Sequence, residues 1–259
     1  MIRKLKAKKR TLLVDGDIVC YRIATAIEVA TEWENDMWTL HSDAKLGKEL
    51  VDNALNKYLE ELNCNDIVIA LSDKNNFRKK LLPEYKSNRK KIRKPIILKP
   101  LKEYLYNKYP THRLPDLEGD DTLGILATSK YKDNCVILSS DKDMRTIPCF
   151  HHFIHDNHTE LVDEKTANYY FMFQTLTGDS TDGYSGIKGC GAVKAERVLY
   201  NSEKTLPSMW KAVVEEYKRN NLTEKDALLQ ARMARILRSS DYNFKTKKPI
   251  LWKIWVYFL

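Results

Sequence analysis

Short, unbroken apolar runs punctuate the first half of the chain, and each is closed by polar or acidic residues. They are Leu12-Leu13-Val14, Ile67-Val68-Ile69-Ala70-Leu71 and Val136-Ile137-Leu138. Runs without alternation are what strands covered on both faces look like. They predict strands over 11–15, 66–71 and 135–139. Between them the period changes to that of a helix. Residues 43–62 carry Leu46, Leu50, Val51, Ala54, Leu55, Tyr58, Leu59 and Leu62 at helical spacing. Further helices are expected over 18–30, over 95–109 (opened by proline) and over 120–131, and a hairpin over 151–155 and 159–162. Such alternation predicts an α/β fold with a doubly wound, mostly parallel sheet. From about residue 164 the texture turns helical, with helices expected over 165–177, 192–200, 209–219 and 224–238. The expected division is a first region over 1–163 and a helical second region over 164–259.

Acids cluster where strands end. Asp15 and Asp17 close the first run and Asp73 follows the second. Asp141 and Asp143 follow the third. Glu118, Asp120 and Asp121 stand at a predicted helix start, and Asp179 and Asp182 lie in Gly178-Asp179-Ser180-Thr181-Asp182-Gly183. In an open α/β sheet, groups at the carboxyl ends of neighbouring strands converge on one crevice. So many carboxylates cannot share a crevice as bare anions. Oxygen-ligated divalent cations resolve the conflict, and a pair of them suits phosphodiester hydrolysis.

Charge adds a second signal. The 259 residues carry a formal net charge of +9, which favours polyanionic partners. From Lys74 to Lys102 there are twelve Lys and Arg against one acid, Glu84. A one-sided block of this kind suits phosphates, with Tyr85 available to stack on an unpaired base. The five cysteines are scattered without metal-binding spacing and point to buried thiols in a reducing, cytoplasmic setting. No apolar run approaches the ~20 residues that span a bilayer, so no membrane association is expected. The apolar tail over 252–259 reads as an edge strand or partner contact.

The segment Gly186-Ile187-Lys188-Gly189-Cys190-Gly191-Ala192-Val193-Lys194 is a glycine-bearing turn leading into a helix. Such a turn presents backbone N–H groups to a phosphate, and Lys188 and Lys194 add charge. His151, His152, His155 and His158 lack cysteine partners, and an exposed hairpin is expected there rather than zinc. A rival reading takes Leu12-Leu13-Val14-Asp15-Gly16-Asp17 as the phosphorylated motif of a haloacid-dehalogenase-like phosphatase. It leaves Glu118, Asp120, Asp121, Asp141 and Asp143 unused.

Taken in order, several motifs carry a family resemblance. They are Val-Asp-Gly-Asp at 14–17, Pro-Glu-Tyr-Lys-Ser-Asn-Arg-Lys at 83–90, Leu-Glu-Gly-Asp-Asp at 117–121 and Ser-Asp-Lys-Asp at 140–143. Phe-Gln-Thr-Leu-Thr-Gly-Asp-Ser-Thr-Asp-Gly-Tyr-Ser-Gly-Ile at 173–187, Met-Ala-Arg-Ile-Leu-Arg at 233–238 and Asp-Tyr-Asn-Phe at 241–244 complete the set. With these the chain resembles the flap-endonuclease/5′-nuclease superfamily, and within it the 5′→3′ exonucleases of short-tailed bacteriophages. The resemblance implies a PIN-like catalytic region with a basic helical arch over about 74–102, followed by a helix–hairpin–helix type clamp on duplex DNA.

It also implies two Mg²⁺ ions, with Mn²⁺ as a substitute, and allows K⁺ at the clamp. Asp15, Asp73, Glu118, Asp120 and Asp141 match the first-metal group or its surroundings. Asp121, Asp143, Asp179 and Asp182 match the second. Lys86 and Arg89 match arch cations at the scissile phosphate and, with Asp141, are the expected catalytic residues. Tyr85, Lys86, Arg89, Lys90 and Arg93, together with Gly186, Lys188, Gly189, Gly191 and Lys194, are the expected DNA contacts. Asp17 stands where many relatives lack an acid. The implied substrates are duplex DNA ends, nicks and 5′ flaps, with RNA–DNA hybrids also allowed, for a monomer in the host cytoplasm. A DNA-binding relative without catalysis is the remaining alternative.

Overall fold

A computed structural model describes residues 10–200 and 202–254. The chain begins with β1 (Arg10–Asp15) and α1 (Gly16–Ala26), then β2 (Val29–Trp33) and β3 (Met37–His41). It continues through α2 (Ala44–Glu61), β4 (Cys64–Ala70), α3 (Arg78–Leu81), α4 (Leu98–Lys108), β5 (Thr111–His112), α5 (Gly119–Ala127) and β6 (Cys135–Ser139). The hairpin β7 (Cys149–Phe153) and β8 (His158–Val162) leads into α6 (Glu164–Thr177), α7 (Ala192–Tyr200), α8 (Leu206–Arg219) and α9 (Glu224–Ala234). A small pair, β9 (Tyr242–Asn243) and β10 (Lys248–Pro249), follows.

The main sheet has the strand order β5-β4-β1-β6-β7-β8, parallel except for the antiparallel β8. β1 sits between β4 and β6, with Leu12, Leu13 and Val14 wholly buried. The two-residue period of a strand sends successive side chains to opposite layers. Leu12, Val14, Ile69, Val136 and Leu138 join α1, α2 and α4 on one face. Leu13, Val68, Ala70 and Ile137 join Leu123, Leu126 and Ala127 of α5 on the other. Burial on both sides explains why these strands read as continuous apolar runs.

Helices α6, α7, α8 and α9 enclose a second core around Phe171, Leu199, Trp210, Val213 and Tyr217. Trp252 closes it, edge-on to Phe171 and Trp210 with ring centroids 5.0 Å apart in each case. The expected edge strand at the tail is therefore an aromatic plug up to residue 252, and residues 255–259 lie outside the described residues. Phe77, Leu117, Ile125, Leu237 and Tyr242 form a small cluster joining the two cores.

Several expectations are corrected. The helix expected over 18–30 ends at Ala26, and Val29 and Thr31 pair instead with His41 and Thr39 in a β2–β3 ribbon. Asn35 and Asp36 turn its tip at positive φ, a conformation these short polar side chains tolerate. The arch expected over 74–102 is built of short pieces and ends in the start of α4 at Leu98. The segment holds α3 of four residues and a 3₁₀ turn over Ser87–Lys91, with irregular backbone around Pro83 and Pro95. α9 stops at Ala234, and the backbone runs extended at Arg235. His151 and His152 are buried, not exposed. The His151 ring nitrogen Nε2 stands 2.8 Å from the Ile147 carbonyl, and His152 Nδ1 the same distance from the Thr159 hydroxyl. All five cysteines are buried and unpaired. No helix among the described residues is long and apolar enough to cross a membrane.

Candidate active site

The carboxyl end of β1 delivers Asp15, and the end of β6 delivers Asp141 two residues after Ser139. Asp15 caps α1, accepting the Ile18 amide at 3.1 Å and the Ser139 hydroxyl at 2.8 Å. Burial, with Asp17 next and Asp141 adding, pushes its carboxyl up to about 7. Asp120, in the first turn of α5, is also raised, by burial and then by Asp15 and Asp141. Burial and Asp141 push Asp143 up to about 6. These acids therefore feel one another, as strand-end convergence requires.

Around them stands a second layer of acids already matched by cations. Burial alone would raise Glu118, but Lys86 and Arg78 hold it down to about 2. Lys86 Nζ lies 2.5 Å from Glu118 Oε1 and 3.3 Å from Asp182 Oδ2. Arg89 reaches Asp182 Oδ1 at 2.5 Å. The Tyr85 hydroxyl lies 2.9 Å from Glu118 and 3.0 Å from Asp182. The cleft between Glu118, Asp120, Asp141, Asp143 and Asp182 is narrow, with a volume of about 20 Å³, close to the space of one water-sized species.

Other expected ligands are engaged elsewhere. Asp121 is wholly buried, and its two oxygens take a forked pair of bonds from Arg78 at 2.7 and 2.8 Å. It also accepts the amides of Glu118 and Leu237, so its place as a ligand is corrected to that of a structural anion. Asp73 accepts the Asp116 amide at 3.0 Å and is lowered by backbone hydrogen bonds. It fastens the turn after β4 and is not among the residues lining the cleft. Asp179 accepts the Thr181 and Asp182 amides and stands at the rim, with Lys142 Nζ 4.0 Å away. Asp17 is bound by the Ser72 amide at 2.9 Å and by Lys102 at 2.7 Å.

The expected DNA contacts divide similarly. Tyr85 is 3% exposed, so it cannot stack on a base; it props the acids instead. Arg93 is paired with Glu28, and Lys194 with Glu216 at 2.8 Å. The Gly186 amide donates to Gln230 Oε1 at 2.9 Å, leaving it no hydrogen for a phosphate. Lys188 is exposed, beside an open cleft with Lys142, Ser180 and Ser185. Gly189, at φ +76°, and Gly191 have open space around them. The Lys90 side chain lies outside the described residues.

Sequence reasoning missed two residues. Arg78 is 3% exposed and also holds Glu118 Oε2 at 3.2 Å and the carbonyls of Met233 and Arg235 at 3.1 and 2.6 Å. Only the neighbouring Phe77 set it apart from eleven other cations in its stretch. Ser139 orients Asp15 from the end of a strand that reads as apolar.

Among the described residues, no group of three or more His, Cys, Asp or Glu side chains stands arranged to hold a metal ion. With Lys86, Arg89 and Tyr85 drawn onto Glu118 and Asp182, that arrangement is closed. The donor chemistry nevertheless fits a hard divalent cation. Asp15, Asp120 and Asp143 share a surplus of negative charge that Lys142, paired with Asp143 at 3.1 Å, and Lys86 offset only in part, and the titratable donors facing the cleft are carboxylates and tyrosine hydroxyls, without imidazole or thiol. The phosphatase reading gives no part to Glu118, Asp120, Asp141 and Asp143, which line this cleft together, and its nucleophile would be an aspartate only 1% exposed.

A parallel sheet that gathers carboxylates at its strand ends, with cations over a narrow cleft, defines a hydrolase of the nuclease class. Residues 10–171 match the family model for the 5′-3′ exonuclease N-terminal resolvase-like domain. The chain is 31% identical to the exonuclease of Escherichia phage T7, across 95% of this chain and 94% of that one. It is 30% identical to the exodeoxyribonuclease of Enterobacteria phage T3, across 94% and 93%. In fold it is similar to the bacteriophage T5 flap endonuclease solved with DNA and metal ions (TM-score 0.65, 15% identity, 87% of this chain and 89% of that one). The chain belongs to the 5′-3′ exonuclease family.

Proposed function

We propose that this protein hydrolyses phosphodiester bonds of duplex DNA from 5′ ends, at nicks and at 5′ flaps, with Mg²⁺ as its metal. The observation that carries the reading is the charge imbalance among Asp15, Asp120 and Asp143, set beside Lys86 and Arg89. Bound divalent cations supply an activated water and screen the leaving 3′-oxygen. Asp15, Asp120, Asp141 and Asp143 would hold them, with Glu118 and Asp182 once a phosphate draws Lys86 and Arg89 away. Lys86 and Arg89 then face the phosphate and stabilise the charge it develops. Tyr85 and Arg78 keep the Glu118 carboxylate in place, and Ser139 does the same for Asp15.

Duplex recognition falls to Lys188 and to the open backbone at Gly189 and Gly191, where K⁺ has room to approach; these contacts are sequence-independent. The division into a catalytic region over 1–163 and a clamp over 164–259, action on RNA–DNA hybrids and a cytoplasmic setting in a host cell belong to the same reading. One copy contains the whole set of residues, so the chemistry needs no second chain.

The test is a 5′-labelled duplex, supplied blunt, nicked and flapped, incubated with Mg²⁺. Short 5′ products are expected, lost with chelator and with Asp141→Ala. Cleavage that survives both changes would refute the mechanism. DNA binding without any cleavage would favour the non-catalytic alternative.

A further inference from the structure

The β2–β3 ribbon exposes all ten of its strand residues. Val29, Trp33, Met37, Trp38 and Leu40 stand 36–60% open to solvent. An isolated two-stranded ribbon is marginal in water, and an apolar patch on a surface marks a contact site. The register pairs Trp33 with Met37 and Ala30 with Leu40, so both faces carry large apolar side chains. Its charge is opposite to that of the rest of the chain. Between Arg22 and Lys45 there is no Lys or Arg, but there are Glu28, Glu32, Glu34, Asp36 and Asp43, in a chain of net charge +9. Glu28 is tied to Arg93 and the Ile96 amide, which anchors the base of the ribbon and leaves Glu32, Glu34 and Asp36 at the exposed tip. Phosphate backbones repel such a ribbon, so nucleic acid is a poor occupant.

The complement lies on the same molecule. A groove of 650 Å³ between α6 and α7 is floored by Tyr169 and walled by Val193 and Tyr200, which are 72% and 79% exposed. Lys165, Arg197 and Lys204 line it, against one acid, Glu196. We propose that the β2–β3 ribbon of one copy seats in the α6–α7 groove of a second copy. Trp33 and Trp38, on opposite faces of the inserted ribbon, pack against the two walls of the apolar trough, and Glu32, Glu34 and Asp36 meet the three cations. A five-residue strand is about 17 Å long. One ribbon contact is therefore small, while two reciprocal contacts in a closed pair approach the ~1,200 Å² at which specific interfaces begin. The pairing is independent of the metal cleft.

Light scattering and sedimentation of the full chain, over a range of concentration and salt, test it. The expected result is a concentration-dependent doubling of mass that weakens as salt rises. Trp33→Ser with Trp38→Ser, and separately Lys165→Glu with Arg197→Glu and Lys204→Glu, should each weaken pairing roughly tenfold or more. A variant carrying Glu32→Lys, Glu34→Lys and Asp36→Lys should form a mixed pair with the groove variant, though neither pairs alone. Circular dichroism confirms that each variant is folded, which the exposure of the altered residues favours. A single-copy mass under all conditions would overturn the proposal, as would doubling that the ribbon variants leave intact. Ribbon variants that change only DNA affinity would also overturn it, by assigning the ribbon to nucleic acid.

Discussion

Replacing Arg78 with methionine strands a buried anion. The guanidinium makes two bonds to Asp121, one to Glu118 and two to main-chain carbonyls of Met233 and Arg235. Asp121 has no exposed surface, so water cannot take the place of the lost cation. Removing one partner of a buried pair costs about 3–5 kcal/mol, and each orphaned carbonyl adds roughly 1–3 kcal/mol. The Asp121 amide contacts to Glu118 and Leu237 partly shelter the charge, which favours the lower end: about 5 kcal/mol in all. For a chain of this size that is a fall in melting temperature of roughly 10–20 °C. Adding Asp121→Asn neutralises the stranded charge while keeping an acceptor for the amides. The double variant should then lose less than the sum of the two single losses, with a coupling of at least roughly 2 kcal/mol. Urea unfolding of the parent, both single variants and the double variant closes the cycle. Strictly additive losses, or a single-variant loss below about 1 kcal/mol, would refute the reading of Arg78 and Asp121 as a coupled, buried structural pair.

Burial holds His151 neutral, with its pKa lowered to about 4 against an ordinary value of 6.5. Its stabilising contribution is intact above pH 6.5 and is lost as pH falls toward 4, because the unfolded chain then binds the proton more readily; about 3 kcal/mol is at stake. His151→Asn should flatten that part of the profile in denaturant titrations from pH 7 to pH 4, and parallel curves for parent and variant would count against it. At Gly186, a Cβ would stand 2.4 Å from the Gly178 nitrogen on a backbone at φ +58°, so Gly186→Ala should lose about 3 kcal/mol or more. Gly189→Ala meets no neighbour and should lose only the roughly 1 kcal/mol of its left-handed backbone, and equal losses at the two sites would refute the distinction. Mg²⁺ at one hundred times its Kd should add about 2.7 kcal/mol to stability by linkage. Calorimetry with and without chelator reads this, and a rise unchanged in Asp120→Asn with Asp141→Asn would place the ion elsewhere.

The parallel strands were legible because a strand buried on both faces leaves an unbroken apolar trace, as Leu12, Leu13 and Val14 do. The β2–β3 ribbon left no such trace, since both of its faces meet water and its residues carry no contrast of burial. Within Glu118-Gly119-Asp120-Asp121 the sequence could not separate neighbours. One helical step turns Asp120 toward Asp15 and Asp141, and Asp121 toward Arg78. Tyr85 misled for a related reason. A tyrosine among lysines reads as exposed, yet Leu81, Leu82 and the helical core bury it against Glu118 and Asp182. Electrostatic function was legible as a surplus of acids; which acid answers to which cation depends on rotation about elements whose ends the sequence marks only loosely.

The central position of β1 has a consequence for a cell making this protein. Its neighbours β4 and β6 leave the ribosome after it, and the carbonyls that hold Arg78 belong to Met233 and Arg235, later still. Asp15, Asp141 and Glu118 thus come into register only when nearly the whole polypeptide has been made and folded. A nascent or half-unfolded copy therefore lacks the assembled acid cleft, and the chemistry waits on the finished fold.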